Sequence, residues 1–127
     1  MVIYQGRSAH LATGAKYHPN AKKVKTRMGR EPIHTKAGSN RKKIVRTRGG
    51  NLKIKAYTQD KINVIDQKTK KAQLVKIKRL NDNPASVDLA RRGVITKGAI
   101  VDTEIGQVKI TSRPGQVGML NGVLLQK

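Results

Sequence analysis

Apolar and polar side chains alternate strictly on either side of Arg48-Gly49-Gly50-Asn51. Val45 and Thr47 lead in, and Leu52, Ile54 and Ala56 lead out, with Lys53, Lys55 and Tyr57 at the intervening positions. Successive strand side chains point to opposite faces, so a period of two means one buried wall and one wet wall. Gly-Gly-Asn between two such runs predicts a tight hairpin, because Gly and Asn adopt positive φ at little cost. The wet wall is expected to carry Arg46, Arg48, Lys53 and Lys55, with no acid among them. Such a surface reads either as an ordinary solvated face or as a stiff ribbon that holds charge against a polyanion.

Downstream, the pattern predicts strands at 62–66 and 72–80, joined by the polar turn Gln67-Lys68-Thr69-Lys70-Lys71. Leu74 and Val75 are both apolar, so the facing of the second strand stays open. Residues 83–93 read as a short helix, with Asn83 as N-cap, Pro84 at the first helical position and Gly93 past the end. Asp88 lies toward its positive end and Arg91 and Arg92 toward its negative end, as the helix dipole favours. Two turns are not stable alone, so Val87, Leu89 and Ala90 are expected to dock on a sheet. Further strand signals fall at 94–96, 99–103, 107–111 and 119–125, separated by Lys97-Gly98, Ile105-Gly106 and Arg113-Pro114-Gly115-Gln116. Short strands so closely spaced predict a mainly β fold. The favoured form is a small β-barrel with one short helix and an extended basic N-terminal arm.

The arm is residues 1–40 and the barrel domain residues 41–127. The first segment holds seven of Val, Ile, Leu and Met, and the second twenty-six. A segment so poor in apolar groups cannot offset its ordering entropy by burial, and alone it is expected to be mobile. Lys16, Lys22, Lys23, Lys25, Arg27 and Arg30 recur in it without helical period, punctuated by Gly14, Pro19, Gly29 and Pro32. A chain of this kind can thread between phosphates and order on binding. Arg7 extends this cationic set toward the N-terminus, and Lys42 and Lys43 carry it into the barrel domain. His10, His18 and His34 match no metal-ligand spacing and have no Cys or carboxylate cluster near them, so no metal is expected.

Charge narrows the function further. There are 28 Lys and Arg against 7 acids, a net +21, and the pI is about 11.0. That exceeds the usual guideline for a nucleic-acid-binding domain, and self-repulsion on this scale calls for counter-charge from outside. A membrane partner would need a long apolar span or bulky anchors, yet there is no Trp, no Phe and no run of ten apolar residues. The start, Met1 to Arg7, lacks a signal-peptide apolar region, and there is no Cys, so a cytoplasmic setting is expected.

Catalytic motifs fail on inspection. Gly93 to Gly98 has P-loop glycine spacing, but Ala99 stands where the phosphate-binding Lys is needed. Gly115-Gln116-Val117-Gly118 is no dinucleotide fingerprint. Asp102 and Glu104 share a strand face, an arrangement that more often balances neighbouring cations than performs catalysis. No catalytic residue, cofactor or small-molecule substrate is assigned. Tyr4, Tyr17 and Tyr57 are the only rings and stand scattered, so they are not expected to build a base-stacking platform. Recognition is expected to run through phosphates, 2′-hydroxyls and RNA shape.

Four motifs in order complete the reading: Gly29-Arg30-Glu31-Pro32, Arg46 to Asn51, Ala90 to Ala99, and Thr111 to Gln116 with Asn121 to Leu125. Through them the chain resembles the small-subunit ribosomal protein family eight-e of archaea and eukaryotes, and its compact length is similar to the archaeal form. It departs at Ala15, where that family usually has Gly, and at Val117, where it usually has Asp. The resemblance implies a β-barrel with an RNA-bound N-terminal extension, lodged in the small ribosomal subunit beside neighbouring ribosomal proteins and without enzymatic activity. By position it makes Arg46, Arg48, Arg91, Arg92, Lys97 and Arg113 candidate contacts to small-subunit rRNA. A ribosome-assembly factor of the same fold and a non-specific DNA-binding chromatin protein are the alternatives.

Overall fold

A computed structural model describes residues 3–18 and 20–125. The chain divides into two compact units, Met1–Pro32 and Ile33–Lys127. Pro19, read above as one of the breaks in the arm, lies outside the described residues.

The N-terminal unit is built from short ladders. Strand β1 (Ile3–Tyr4) pairs antiparallel with β2 (Met28–Gly29), Tyr4 opposite Met28, and a 3-10 turn at Lys25–Arg27 precedes β2. Between them the chain reverses at 11–15, where the Leu11 amide donates to the Ala15 carbonyl at 2.9 Å, and His10 bridges to Lys16. Ile3, Leu11, Val24 and Met28 are all exposed. Backbone hydrogen bonds rather than apolar burial therefore hold this unit, in keeping with its composition.

The second unit contains a closed barrel. Its strands are β6 (Lys61–Ile65), β7 (Ala72–Asp82), β8 (Ile100–Thr103), β9 (Gln107–Ile110) and β10 (Asn121–Leu124), in the order β10-β6-β7-β8-β9 with β9 returning to β10. All pairs are antiparallel except β10 with β6, where Asn121 aligns with Asn63 and their side chains hydrogen-bond at 3.0 Å. Closure leaves this sheet without free edges. The alternation in sequence is the alternation in space: Ile62 and Val64 point in while Lys61, Asn63 and Ile65 point out, and Val108 and Ile110 repeat the pattern. They pack with Val75, Ile95, Ala99, Val101 and Leu120 as one core.

On β7 the open facing resolves as Val75 inward, opposite Ile62, and Leu74 outward at 64% exposure. The ladder to β8 slips between Ile77 and Arg79 and again between Leu80 and Asp82. Such bulges bend a strand, and two of them let eleven residues follow the barrel wall.

Beside the barrel lies a three-stranded sheet, β3 (Lys36–Ala37), β5 (Leu52–Gln59) and β4 (Arg41–Arg46), with β5 central. Compact packing thus takes in residues 33–40, ahead of the compositional boundary. Composition undercounts them because their hold is polar: Thr35 is buried and hydrogen-bonded, and the Gly38 amide donates to the Gln59 carbonyl at 3.0 Å.

The hairpin of β4 and β5 differs from its expectation in two respects. Five residues, 47–51, connect the strands, so Arg46 stands opposite Leu52, Ile44 opposite Ile54 and Val45 opposite Lys53. Directly opposed residues share a face. Arg46 therefore lies with Ile44, Leu52 and Ile54, while Lys53 and Lys55 lie with Lys43 and Val45. The cations are split between the walls rather than gathered on one. Nor is the apolar wall buried: Leu52 is 67% exposed and only Ala56, nearer the barrel, is fully enclosed. Gly49 (φ 72) and Gly50 (φ 78) take the left-handed positions of the turn. Asn51 is extended, and its side-chain amide instead donates to the Arg48 carbonyl at 3.1 Å.

The helix expected over 83–93 shrinks to α1 (Val87–Arg91). Asn83 is drawn into the interior instead of capping it. Its amide donates to the Val94 carbonyl at 2.8 Å, and its oxygen accepts from Thr96 Oγ1 at 2.9 Å and from the Ala85 amide at 3.2 Å. Leu89 and Ala90 are half-buried, but Val87 is exposed. Residues 94–96 form no strand. Their backbone groups bond to Leu89, Thr35 and Asn83, which carries Val94 and Ile95 into the interior without a ladder. A second single helical turn, α2 (Pro114–Val117), packs on β5.

Candidate nucleic-acid interface

Every described Lys and Arg is exposed except Lys55, which is half-buried. Long cationic side chains snorkel to water by default. What matters is how the fold groups them.

On the hairpin the ladder places Lys43 directly opposite Lys55, with Lys53 on the same face. Like charges directly opposed across a ladder are destabilising. Lys42 lies opposite Ala56, Arg46 opposite Leu52, and Arg48 stands in the turn. The Lys53 ammonium donates to Gln116 Oε1 at 2.9 Å, which sets α2 and the preceding Arg113 beside β5. The hairpin and the Arg113 turn, 60 or so residues apart in sequence, thus form one cationic region. The barrel adds a second opposed pair, Lys61 facing Lys76 across β6 and β7. Neither was among the residues singled out from sequence, although both occupy the outward phase of an alternating run.

Arg91 lies in the last turn of α1 and Arg92 follows it, ion-paired with Asp88 at 3.3 Å. Lys97 sits in the turn before Ala99. These three follow one another along the connection from the end of α1 to β8. Asp102 pairs with Arg79 at 2.9 Å, so this carboxylate balances a cation, and Glu104 lies past the end of β8 at Thr103.

In the N-terminal unit, Arg7, Lys23 and Arg27 line one open cavity of about 880 Å³, while Lys16, Lys22, Lys25 and Arg30 are exposed outside its lining. Two of the tyrosines read as scattered, Tyr4 and Tyr17, line the same cavity. The Arg7 guanidinium lies 4.4 Å from the centroid of the Tyr17 ring, within cation–π range. Twelve residues lie between Tyr4 and Tyr17 and no period links them, so nothing in the sequence pattern brings these two rings together. On the other unit, Arg41 lies 5.8 Å from the Tyr57 ring centroid.

Among the described residues, no group of three or more His, Asp or Glu gathers that could hold a metal ion. No helix among the described residues is long and apolar enough to cross a membrane. The arrangement offers exposed cations, hydrogen-bond donors and a few ring faces, which is chemistry suited to binding an anion.

A sequence profile of the family described as Ribosomal protein S8e matches residues 4–125. The chain is 52% identical over 124 residues to the small ribosomal subunit protein eS8 of Nanoarchaeum equitans, covering 97% of each chain. It is 46% identical over 125 residues to the eS8 protein of Methanobrevibacter smithii, covering 98% of this chain and all of that one. The eS8 protein of Methanococcus maripaludis strain C6 is 48% identical over 126 residues, with 98% of each chain covered.

Proposed function

The chain belongs to the ribosomal protein S8e family, a family of structural ribosomal components and not of enzymes, and from that premise we propose that it binds and stabilises small-subunit rRNA through phosphate contacts. Its setting is the cytoplasmic ribosome, with neighbouring ribosomal proteins as further partners.

One observation carries the phosphate reading: the ladders set Lys43 against Lys55 and Lys61 against Lys76. Each opposed pair costs stability in the free chain. With 7 acids against 28 basic residues, the chain cannot neutralise itself. A polyanion lying along the ladder supplies the missing charge to both members of a pair at once. The N-terminal residues, bounded at 40 by composition and at 32 by packing, act as the leader that follows the RNA, and the barrel domain presents the hairpin, Arg91, Arg92, Lys97 and Arg113.

Titrating the full chain against small-subunit rRNA at rising salt tests this. With roughly six to ten phosphate contacts, affinity falls about 10³–10⁵-fold between 50 and 200 mM. A flat salt response overturns the phosphate mechanism. Equal affinity for duplex DNA overturns the specificity for rRNA.

A further inference from the structure

The cavity of the N-terminal unit has walls that phosphate binding alone does not require. Two backbone closures build it. The β1–β2 ladder, extended by the Gln5 amide donating to the Arg27 carbonyl at 2.8 Å, brings Tyr4 to Arg27. The reversal at 11–15, with the Tyr17 amide donating to the Ala9 carbonyl at 2.8 Å, returns Tyr17 to the neighbourhood of Arg7. Gly6 allows the first wall: a Cβ there would collide with the end of the Tyr4 ring, so the phenol lies close against bare backbone. The result is a concavity lined by two phenol rings, a guanidinium whose central carbon lies 4.4 Å over the centroid of one of them, Asn20, Lys23 and Arg27.

A phosphate needs only cations and amides, and a flat surface serves. Flat π faces set in a hollow suit a planar ring, and unpaired RNA bases stack on aromatic side chains and on Arg guanidinium planes. The cavity volume falls within the range of small-molecule sites. We infer that this cavity takes one unpaired RNA nucleotide, its base continuing the Arg7–Tyr17 stack and its phosphate held by Lys23 and Arg27. The inference rests on the rRNA-binding reading above and adds to it a nucleobase contact within the leader. An acidic protein loop would satisfy the cations but leave the stacked faces without a planar partner.

The test measures binding of the full chain, at fixed ionic strength, to a single-stranded ten-nucleotide oligoadenylate, to an abasic strand of the same length and charge, and to adenosine monophosphate. The oligoadenylate is expected to bind about fivefold to a hundredfold tighter than the abasic strand. Tyr17→Leu should abolish that preference while changing abasic binding less than twofold, and Tyr17→Phe, which keeps the ring, should retain it. Arg7→Lys keeps the charge but not the plane, and should lower the preference for the oligoadenylate over the abasic strand. Equal affinity for the two strands overturns base capture and leaves charge-driven RNA binding standing, and it is also the outcome if the cavity serves a protein loop. Tyr17→Leu weakening both strands alike assigns the ring to folding and overturns the inference. Adenosine monophosphate binding as tightly as the decamer overturns the assignment to an RNA strand. Binding to neither strand overturns the rRNA reading itself.

Discussion

The Thr35 hydroxyl donates a 2.8 Å hydrogen bond to the Ala56 carbonyl, and both residues are buried. The Thr35 carbonyl in turn accepts from the Ile95 amide at 2.7 Å. A single residue before the first long strand therefore ties β5 to the interior segment that follows α1. Deleting residues 1–32 is expected to leave the barrel unit cooperatively folded, whereas deleting 1–40 removes Thr35 and β3 and lowers its stability. Thr35→Val leaves a buried acceptor without its donor, at a cost of about 1–3 kcal/mol. Urea unfolding of the two truncations and of the point variant measures all three. Equal midpoints for the truncations would show that the tie contributes nothing.

Gly118 answers two demands at once. Its φ of 76° is left-handed, and a Cβ there would fall 2.4 Å from Ile54 Cγ2 and 3.1 Å from the Ile54 backbone carbon. Gly118→Ala is expected to cost about 1–2 kcal/mol for the backbone conformation and about 1–3 kcal/mol more for the collision. Gly50→Ala shares the positive φ but meets nothing within 4 Å, so it carries the conformational cost alone. Calorimetric melting of both variants separates the two effects, and similar losses would mean that α2 simply moves away from β5.

Asn83 is 2% exposed and its side chain makes three hydrogen bonds, to Val94, Ala85 and Thr96. Asn83→Ala strands these partners and should destabilise the barrel unit by about 2–3 kcal/mol. If Asn83 were only a helix cap, the loss would stay near 1 kcal/mol. Denaturant midpoints at constant m distinguish the two roles.

Lys43→Glu should move stability and binding in opposite directions. Placing a carboxylate opposite Lys55 replaces a repulsive cross-strand pair with an attractive one, stabilising the free protein by about 0.2–1 kcal/mol. The same change sets an anion on the face assigned to RNA, so affinity for rRNA should fall and the salt slope flatten. Melting of the free chain and a salt titration of the complex give the two readings. Unchanged rRNA affinity would remove this face from the interface.

Much of the barrel was legible in the chain because its strands obey a local rule. Ile62 and Val64 alternate with Lys61 and Asn63, and nothing beyond the pleat is needed to say which pair points inward. The cationic excess, the lack of catalytic groups and the family motifs are likewise properties of composition and order. Residues 94–96 were less legible. A β-branched run favours a strand, but its partners are the Thr35 and Leu89 carbonyls and the Asn83 amide, and tertiary bonds overrode propensity.

The cationic surface divides along the same line. That Arg46, Lys43, Lys53 and Lys55 belong to one hairpin follows from alternation around Gly49-Gly50. Which of them share a wall does not, because it depends on loop length and register. A shift of one residue exchanges the faces, and five connecting residues put Arg46 with Leu52 and Lys43 with Lys55. Tyr4 and Tyr17 make the point more sharply. No periodicity joins positions 4 and 17, and their meeting in one cavity depends on two backbone closures that only the folded chain provides. Charge and strand identity are local quantities and can be read along the line of residues. Register, closure and shared cavities are relations between distant residues, and they exist once the chain has folded.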